Sequence, residues 1–173
     1  MVNIASNLKR IVNEMFNRNQ TKINASNQYQ VLCERILNSG SDNVKYFGGE
    51  FQGGYKLQQN VHEFASLVKL LRNYFKDNEI KHYLEIGSAS GGNLRFMYEN
   101  LGFRYVTSLD DGQHTEAIDQ KINYFGFEHR LKNKQCDSHS KEAELFLKER
   151  CLDVGNIDVA FIDGDHSCKG VIE

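Results

Sequence analysis

Apolar residues recur at helical spacing along the first half of this chain and in short blocks along the second. Ile4, Leu8, Ile11, Val12, Met15 and Phe16 fall on one helical face, and Tyr29, Leu32, Cys33, Ile36 and Leu37 repeat the pattern until Gly40 stops it. A further helix is expected from Asn60, with Glu63 placed to complete a capping arrangement, burying Phe64, Leu67, Val68, Leu71 and Phe75. Between these helices the run from Tyr46 to Tyr55 sets two glycine pairs among aromatics and reads as a loop of the kind that closes over ligands.

From Lys81 onward the period changes. Strands are predicted over His82 to Ile86, Tyr105 to Leu109, roughly Arg130 to Cys136, and Ile157 to Ile162. The helices between them carry Leu94, Met97 and Leu101, then Ile118, Ile122 and Phe125, then Ala143, Phe146, Leu147 and Arg150. Short strands separated by helices of this length predict right-handed crossovers and an α/β fold with a doubly wound parallel sheet. Residues 1–78 form an N-terminal helical extension in this reading, and residues 79–173 the sheet domain.

Ligands of such sheets sit outside the C-terminal strand ends. The first strand leads there through Tyr83-Leu84-Glu85-Ile86-Gly87-Ser88-Ala89-Ser90-Gly91-Gly92, an apolar strand with an acid that runs into a glycine-rich turn. Glycines at a strand exit let the backbone turn sharply and approach a ligand, and the helix expected from about Asn93 points its free N–H groups at the same place. An ordinary corner that uses glycine only for close packing would look the same. Ala89 replaces the middle glycine of a dinucleotide fingerprint, and Gly91-Gly92-Asn93 lacks the lysine of a P-loop. Glu85 would repel a pyrophosphate but accept hydrogen bonds from an ammonium group.

Every predicted strand exit carries an acid: Glu85, then Asp110 and Asp111, then Asp137 followed by Ser138 and His139, then Asp163-Gly164-Asp165-His166. One such acid is ordinary turn chemistry, but four at one edge are harder to dismiss. Asp110 lies about 20 residues past the glycine turn, where a carboxylate can take both hydroxyls of a ribose. Asp137 and Ser138 fall where an adenine edge would lie. Asp163 and Asp165 are two apart at a strand exit, and an oxygen-only site there selects Mg²⁺, Ca²⁺ or Mn²⁺ rather than zinc.

Composition narrows the classes. At 173 residues, 40% hydrophobic and 25% charged, the chain is expected to be one globular domain with an appendage. A net charge of −2 gives no global pull toward nucleic acid or an anionic membrane. No apolar run approaches the ~18 residues of a membrane span. The four cysteines are widely spaced, with neither a C-x-x-C pair nor a histidine at zinc spacing, which fits a reducing cytoplasm.

Leu84-Glu85-Ile86-Gly87 through Gly91-Gly92, Ser108-Leu109-Asp110, Cys136-Asp137-Ser138-His139-Ser140 and Phe161-Ile162-Asp163-Gly164-Asp165-His166-Ser167 together resemble the class I S-adenosylmethionine-dependent methyltransferases. The resemblance is strongest to the small-molecule branch similar to catechol-type O-methyltransferases. Gln58-Gln59-Asn60 with Glu63-Phe64 resembles that branch's segment before the first strand. The likeness spans about Gly53 to Glu173 and implies a Rossmann-like sheet with S-adenosylmethionine as cofactor. Glu85 and Gly87 would hold its methionine end, Gln59 and Ser88 would add contacts, Gly91 would line the turn, Asp110 would bind the ribose, and Asp137 and Ser138 would flank the adenine. Asp163 matches a residue that ligates a divalent cation, usually Mg²⁺, in metal-dependent members, with Asp165 as a second candidate. His166 is an alternative base, or a cap for the segment that follows.

The family's sheet has seven strands, whereas four are predicted before Glu173. The sheet is therefore expected to be incomplete at its C-terminus, with Val159 to Ile162 as an apolar edge to be covered by further chain or by a second copy in a homo-oligomer. The leading expectation is methyl transfer to a hydroxyl of a small molecule, such as a phenol or sugar, without nucleic-acid or membrane partners. A non-catalytic cofactor-binding or assembly module is the alternative. A nucleotide-sugar glycosyltransferase using Asp163-Gly164-Asp165 is a third reading, opposed by Glu85 and by the lack of phosphate-binding lysines.

Overall fold

The computed structural model describes residues 27–38, 57, 59–76, 79–89, 91–112 and 130–164. These form helix α1 (residues 27–38), α2 (Val61–Tyr74), β1 (His82–Ile86), α3 (Gly92–Leu101), β2 (Tyr105–Asp110), β3 (Leu131–Gln135), α4 (Lys141–Val154) and β4 (Val159–Ile162). The helix expected before residue 20, the aromatic-glycine loop and the helix expected around Ile118 to Phe125 lie outside the described residues.

The strands form one parallel sheet in the order β3-β2-β1-β4. The chain therefore steps outward from β1 through β2 to β3, then returns to the far side of β1, which makes the β1/β4 junction the topological switch point. Right-handed crossovers in opposite directions put α3 and α4 on opposite faces. The expected α/β, Rossmann-like, doubly wound sheet is present.

Side-chain alternation along β1 divides the work between the faces. Tyr83 points to the side of α1, α2 and α3, where Leu32, Ile36, Phe64, Val68, Leu94 and Met97 form the core. Phe64 is its centre, with ring centroids 5.5 Å from Phe96 and 6.2 Å from Phe161, while Tyr83 stacks on Phe103 at 4.4 Å and 3°. A polar knot fastens the two leading helices to α3. Arg35 donates to Asn100 Oδ1 at 2.8 Å, Arg72 donates to the same oxygen at 2.9 Å, and Asn100 donates to the Phe96 carbonyl at 2.6 Å. Burial, and then the charge of Arg35, lower the pKa of Arg72.

On the opposite face His82 is fully buried. Its Nδ1 lies 3.0 Å from the Gly155 carbonyl, which can only accept, so Nδ1 carries the proton. Nε2 then accepts from the Thr107 hydroxyl at 2.7 Å. Arg150, also buried, donates to that hydroxyl at 3.4 Å from α4. The expected apolar face of α4 is thus narrower than the sequence pattern, since Ala143 and Arg150 are its buried residues and Phe146 and Leu147 are half-covered.

Element ends follow local chemistry. Asn60 caps α2 by accepting from His62 N at 3.0 Å and Glu63 N at 3.2 Å, and Ser140 caps α4 by accepting from Ala143 N at 3.1 Å. β4 begins at Val159 rather than Ile157. Asp158 turns its carboxylate onto the N–H groups of Lys81 and His82 at 2.7 and 3.0 Å, which anchors β1 and ends strand pairing there. Leu37, expected inside α1's apolar face, is 55% exposed.

Candidate functional site

Parallel register brings the strand-exit acids to one edge. Ile86 pairs with Leu109 and with Ile162, and Asp110 pairs with Gln135. Across the sheet the acids therefore run Asp137, Asp110, Glu85, Asp163, following the order β3, β2, β1, β4. Neighbouring strands lie about 4.8 Å apart, so the row spans roughly 15 Å.

Glu85 lies within β1 rather than after it and is fully buried. The Tyr83 hydroxyl, two residues earlier on the same face, donates to its Oε2 at 2.6 Å. Burial pushes the Tyr83 phenol well above the ordinary tyrosine range. The Glu85 charge, the hydrogen bond to it and the Asp163 charge act in the same direction.

Gly87 follows at φ +81°, with its N–H bonded to the Leu109 carbonyl at 2.8 Å. A β-carbon there would stand 2.1 Å from the Asp163 carbonyl oxygen and 2.7 Å from the Gly164 Cα. Only glycine lets the β1 and β4 exits approach this closely. Ser88 is buried, with its hydroxyl 2.5 Å from that of Ser108 on β2. Gly91, at φ +87°, donates to the Ser88 carbonyl at 2.7 Å and opens α3, whose first turn has neither a side-chain cap nor an acid.

Asp110 is bound on both oxygens. Oδ2 accepts from the Ala89 N–H at 2.7 Å and Oδ1 from the Gly112 N–H at 2.9 Å. It thereby joins the loop after β1 to the loop after β2, and it holds Ala89 at φ +42°, a left-handed conformation rare for a residue with a β-carbon. A carboxylate offers about four lone-pair positions, so two backbone bonds leave it capacity for a ribose.

Asp163 is half-buried at the exit of β4, with its backbone N–H on the Ile86 carbonyl at 2.8 Å. Its Oδ2 accepts from the Gln59 side-chain amide at 2.8 Å. Asp137 and Ser138 sit at the far end of the row. Asp137 is 73% exposed, and its Oδ1 accepts from the His139 N–H at 2.9 Å in the turn leading into α4. Asp165 and His166 lie outside the described residues.

The structure therefore gathers Gln59, Glu85, Gly87, Ser88, Gly91, Asp110 and Asp163 around the switch point, with Asp137 and Ser138 off to the β3 side. Sequence reasoning missed Tyr83 and Ser108. Their signal was alternation, because both lie on the strand face that carries Glu85 and Asp110. The described residues do not make a Mg²⁺ site. One oxygen of Asp163 is already engaged by an amide donor, and among the described residues no group of three or more His, Cys, Asp or Glu could hold a metal ion. Among the described residues no helix is long and apolar enough to cross a membrane.

No protein-family model and no curated protein matches the chain. Solved structures do resemble it in part. A protein-L-isoaspartate O-methyltransferase is similar over 80% of this chain and 47% of its own, with 15% identity and a TM-score of 0.42. A protein described as a sarcosine dimethylglycine methyltransferase, from Galdieria sulphuraria, is similar over 51% of this chain and 36% of its own, with 20% identity and a TM-score of 0.35. Coclaurine N-methyltransferase, bound to N-methylheliamine and SAH, is similar over 76% of this chain and 44% of its own, with 13% identity and a TM-score of 0.34. This chain thus spans less than half the length of each.

Proposed function

We propose that this protein binds S-adenosylmethionine at the β1/β4 switch point and transfers its methyl group to a hydroxyl of a small molecule. The observation that carries the reading is the row of acids at one sheet edge around a turn with no room for a β-carbon at Gly87. S-adenosylmethionine supplies a methyl group already activated on a sulfonium. It needs carboxylates for an ammonium and a ribose, but no lysine for a phosphate. Glu85 would attract the ammonium, Asp110 would accept from the ribose hydroxyls, and the uncapped first turn of α3 beside Gly91 would receive the ligand's carboxylate. Ser88 and Gln59 would line the same opening, and Asp137 with Ser138 the adenine side.

Methyl transfer to oxygen is an in-line displacement, and the acceptor hydroxyl must lose its proton as the new bond forms. In this reading His166, three residues after Asp163 in the chain, would be the base that takes that proton. A metal would be an alternative means of deprotonation, but the described residues do not form its site.

A second reading, a binding module without chemistry, draws support from the Gln59 amide on Asp163, which occupies an oxygen of the acid that the resemblance matches to a metal ligand. Calorimetry with S-adenosylhomocysteine, NAD and ATP tests the cofactor, and tight NAD binding would sink the proposal. Transfer of a labelled methyl group to phenols and sugars, with and without EDTA, separates enzyme from module. Binding without transfer to any acceptor leaves the module.

A further inference from the structure

Enclosing a carboxylate strips it of its water shell, and a fully buried one must recover hydrogen bonds from the protein to stay ionised. Glu85 is fully buried. We propose that Tyr83 is a positioning residue for Glu85: its phenol supplies a bond that water would otherwise make, and so keeps the carboxylate charged and fixed in one rotamer for a cationic ligand group.

The geometry has two parts. The Tyr83 hydroxyl donates to Glu85 Oε2 at 2.6 Å, the length of a strong bond to an ionised oxygen. The ring cannot swing away, because it is fully buried and stacked on Phe103 at 4.4 Å and 3°. Tyr83 and Glu85 are also i and i+2 on one rigid strand, which fixes their separation by backbone geometry. The phenol's own proton is hard to remove, since burial and the neighbouring Glu85 and Asp163 charges all oppose a phenolate. Tyr83 is therefore a permanent donor.

The ligand half of this inference rests on the cofactor reading above, whereas the carboxylate half does not. The test compares the full chain with Tyr83→Phe, which deletes one oxygen and keeps the stacked ring. Carbon-13 NMR of the Glu85 carboxyl should show its titration midpoint raised by about one unit, the loss expected for a hydrogen bond to a charged group. In calorimetry the same variant should bind S-adenosylhomocysteine about tenfold more weakly. Its affinity for 5′-methylthioadenosine, which lacks the amino-acid end, should stay unchanged. If Tyr83→Phe does not fold, 3-fluorotyrosine at position 83, a stronger donor of nearly the same shape, should lower the Glu85 midpoint. An unmoved midpoint overturns the proposal, as does equal weakening of both ligands. If the parent protein binds neither ligand, the cofactor reading fails, while the carboxyl titration still decides whether Tyr83 holds Glu85.

Discussion

Gly87 and Asp163 meet backbone to backbone at the switch point, with the place of a Gly87 β-carbon only 2.1 Å from the Asp163 carbonyl oxygen. The contact joins the first and last described strands at the edge where the acids collect. Gly87→Ala should therefore be costly. The left-handed φ of +81° and the forced separation of the β1 and β4 exits together predict a loss of about 3 kcal/mol. Urea unfolding measures it, and a loss below about 1 kcal/mol would mean that the two exits move apart freely.

Asp110 joins two loops through backbone N–H groups of Ala89 and Gly112. Asp110→Ala should release both. Hydrogen exchange at these two amides should accelerate, and S-adenosylhomocysteine binding should weaken at least ~10-fold as the turn and the proposed ribose acceptor are lost together. Exchange unchanged at both amides would show that the carboxylate does not hold the loops.

Ala89 sits at φ +42°. Replacing it with glycine relieves the left-handed strain of roughly 1 kcal/mol but adds a similar unfolded-state entropy, so the Ala89→Gly melting temperature should stay level or rise slightly. Ala89→Val, β-branched in the same conformation, should cost about 2 kcal/mol. Equal melting temperatures for the glycine and valine variants would contradict the observed turn.

His82 should make the fold acid-sensitive. Burial, the largest influence, lowers its pKa from the ordinary value of 6.5, with Arg150 adding to this and the Gly155 carbonyl and Asp158 opposing. The unfolded chain then binds the proton more readily. His82 thus contributes stability that is present above pH 6.5 and lost as the pH falls below it toward the folded-state pKa. Denaturant midpoints between pH 7.5 and 5.5 should fall for the parent and fall less for His82→Asn. Parallel declines would locate the sensitivity elsewhere.

Much of the architecture was written locally. The alternation of short apolar blocks with helical periods gave four strands in the right places, and His82–Ile86 agrees at both ends. The caps at Asn60 and Ser140 and the glycine turn after β1 depend on residues a few positions apart, which is the range that local sequence patterns encode. Strand-exit acids were equally visible, because residue identity and strand direction suffice to list them.

What the sequence alone could not decide was which of those acids stands beside which residue. β4 lies next to β1 although its first residue, Val159, stands 73 positions after Ile86, and this return across the sheet brings Asp163 to Gly87 and to Gln59, 104 positions away. No local period encodes such a pairing, since it arises from the crossover that carries the chain back over the sheet. Burial was decided at the same level. Tyr83 reads as one more apolar strand residue and Arg150 as part of an ordinary helix. Packing against Phe103 and Glu85 made the first a fixed donor, and enclosure beside Thr107 made the second a buried cation.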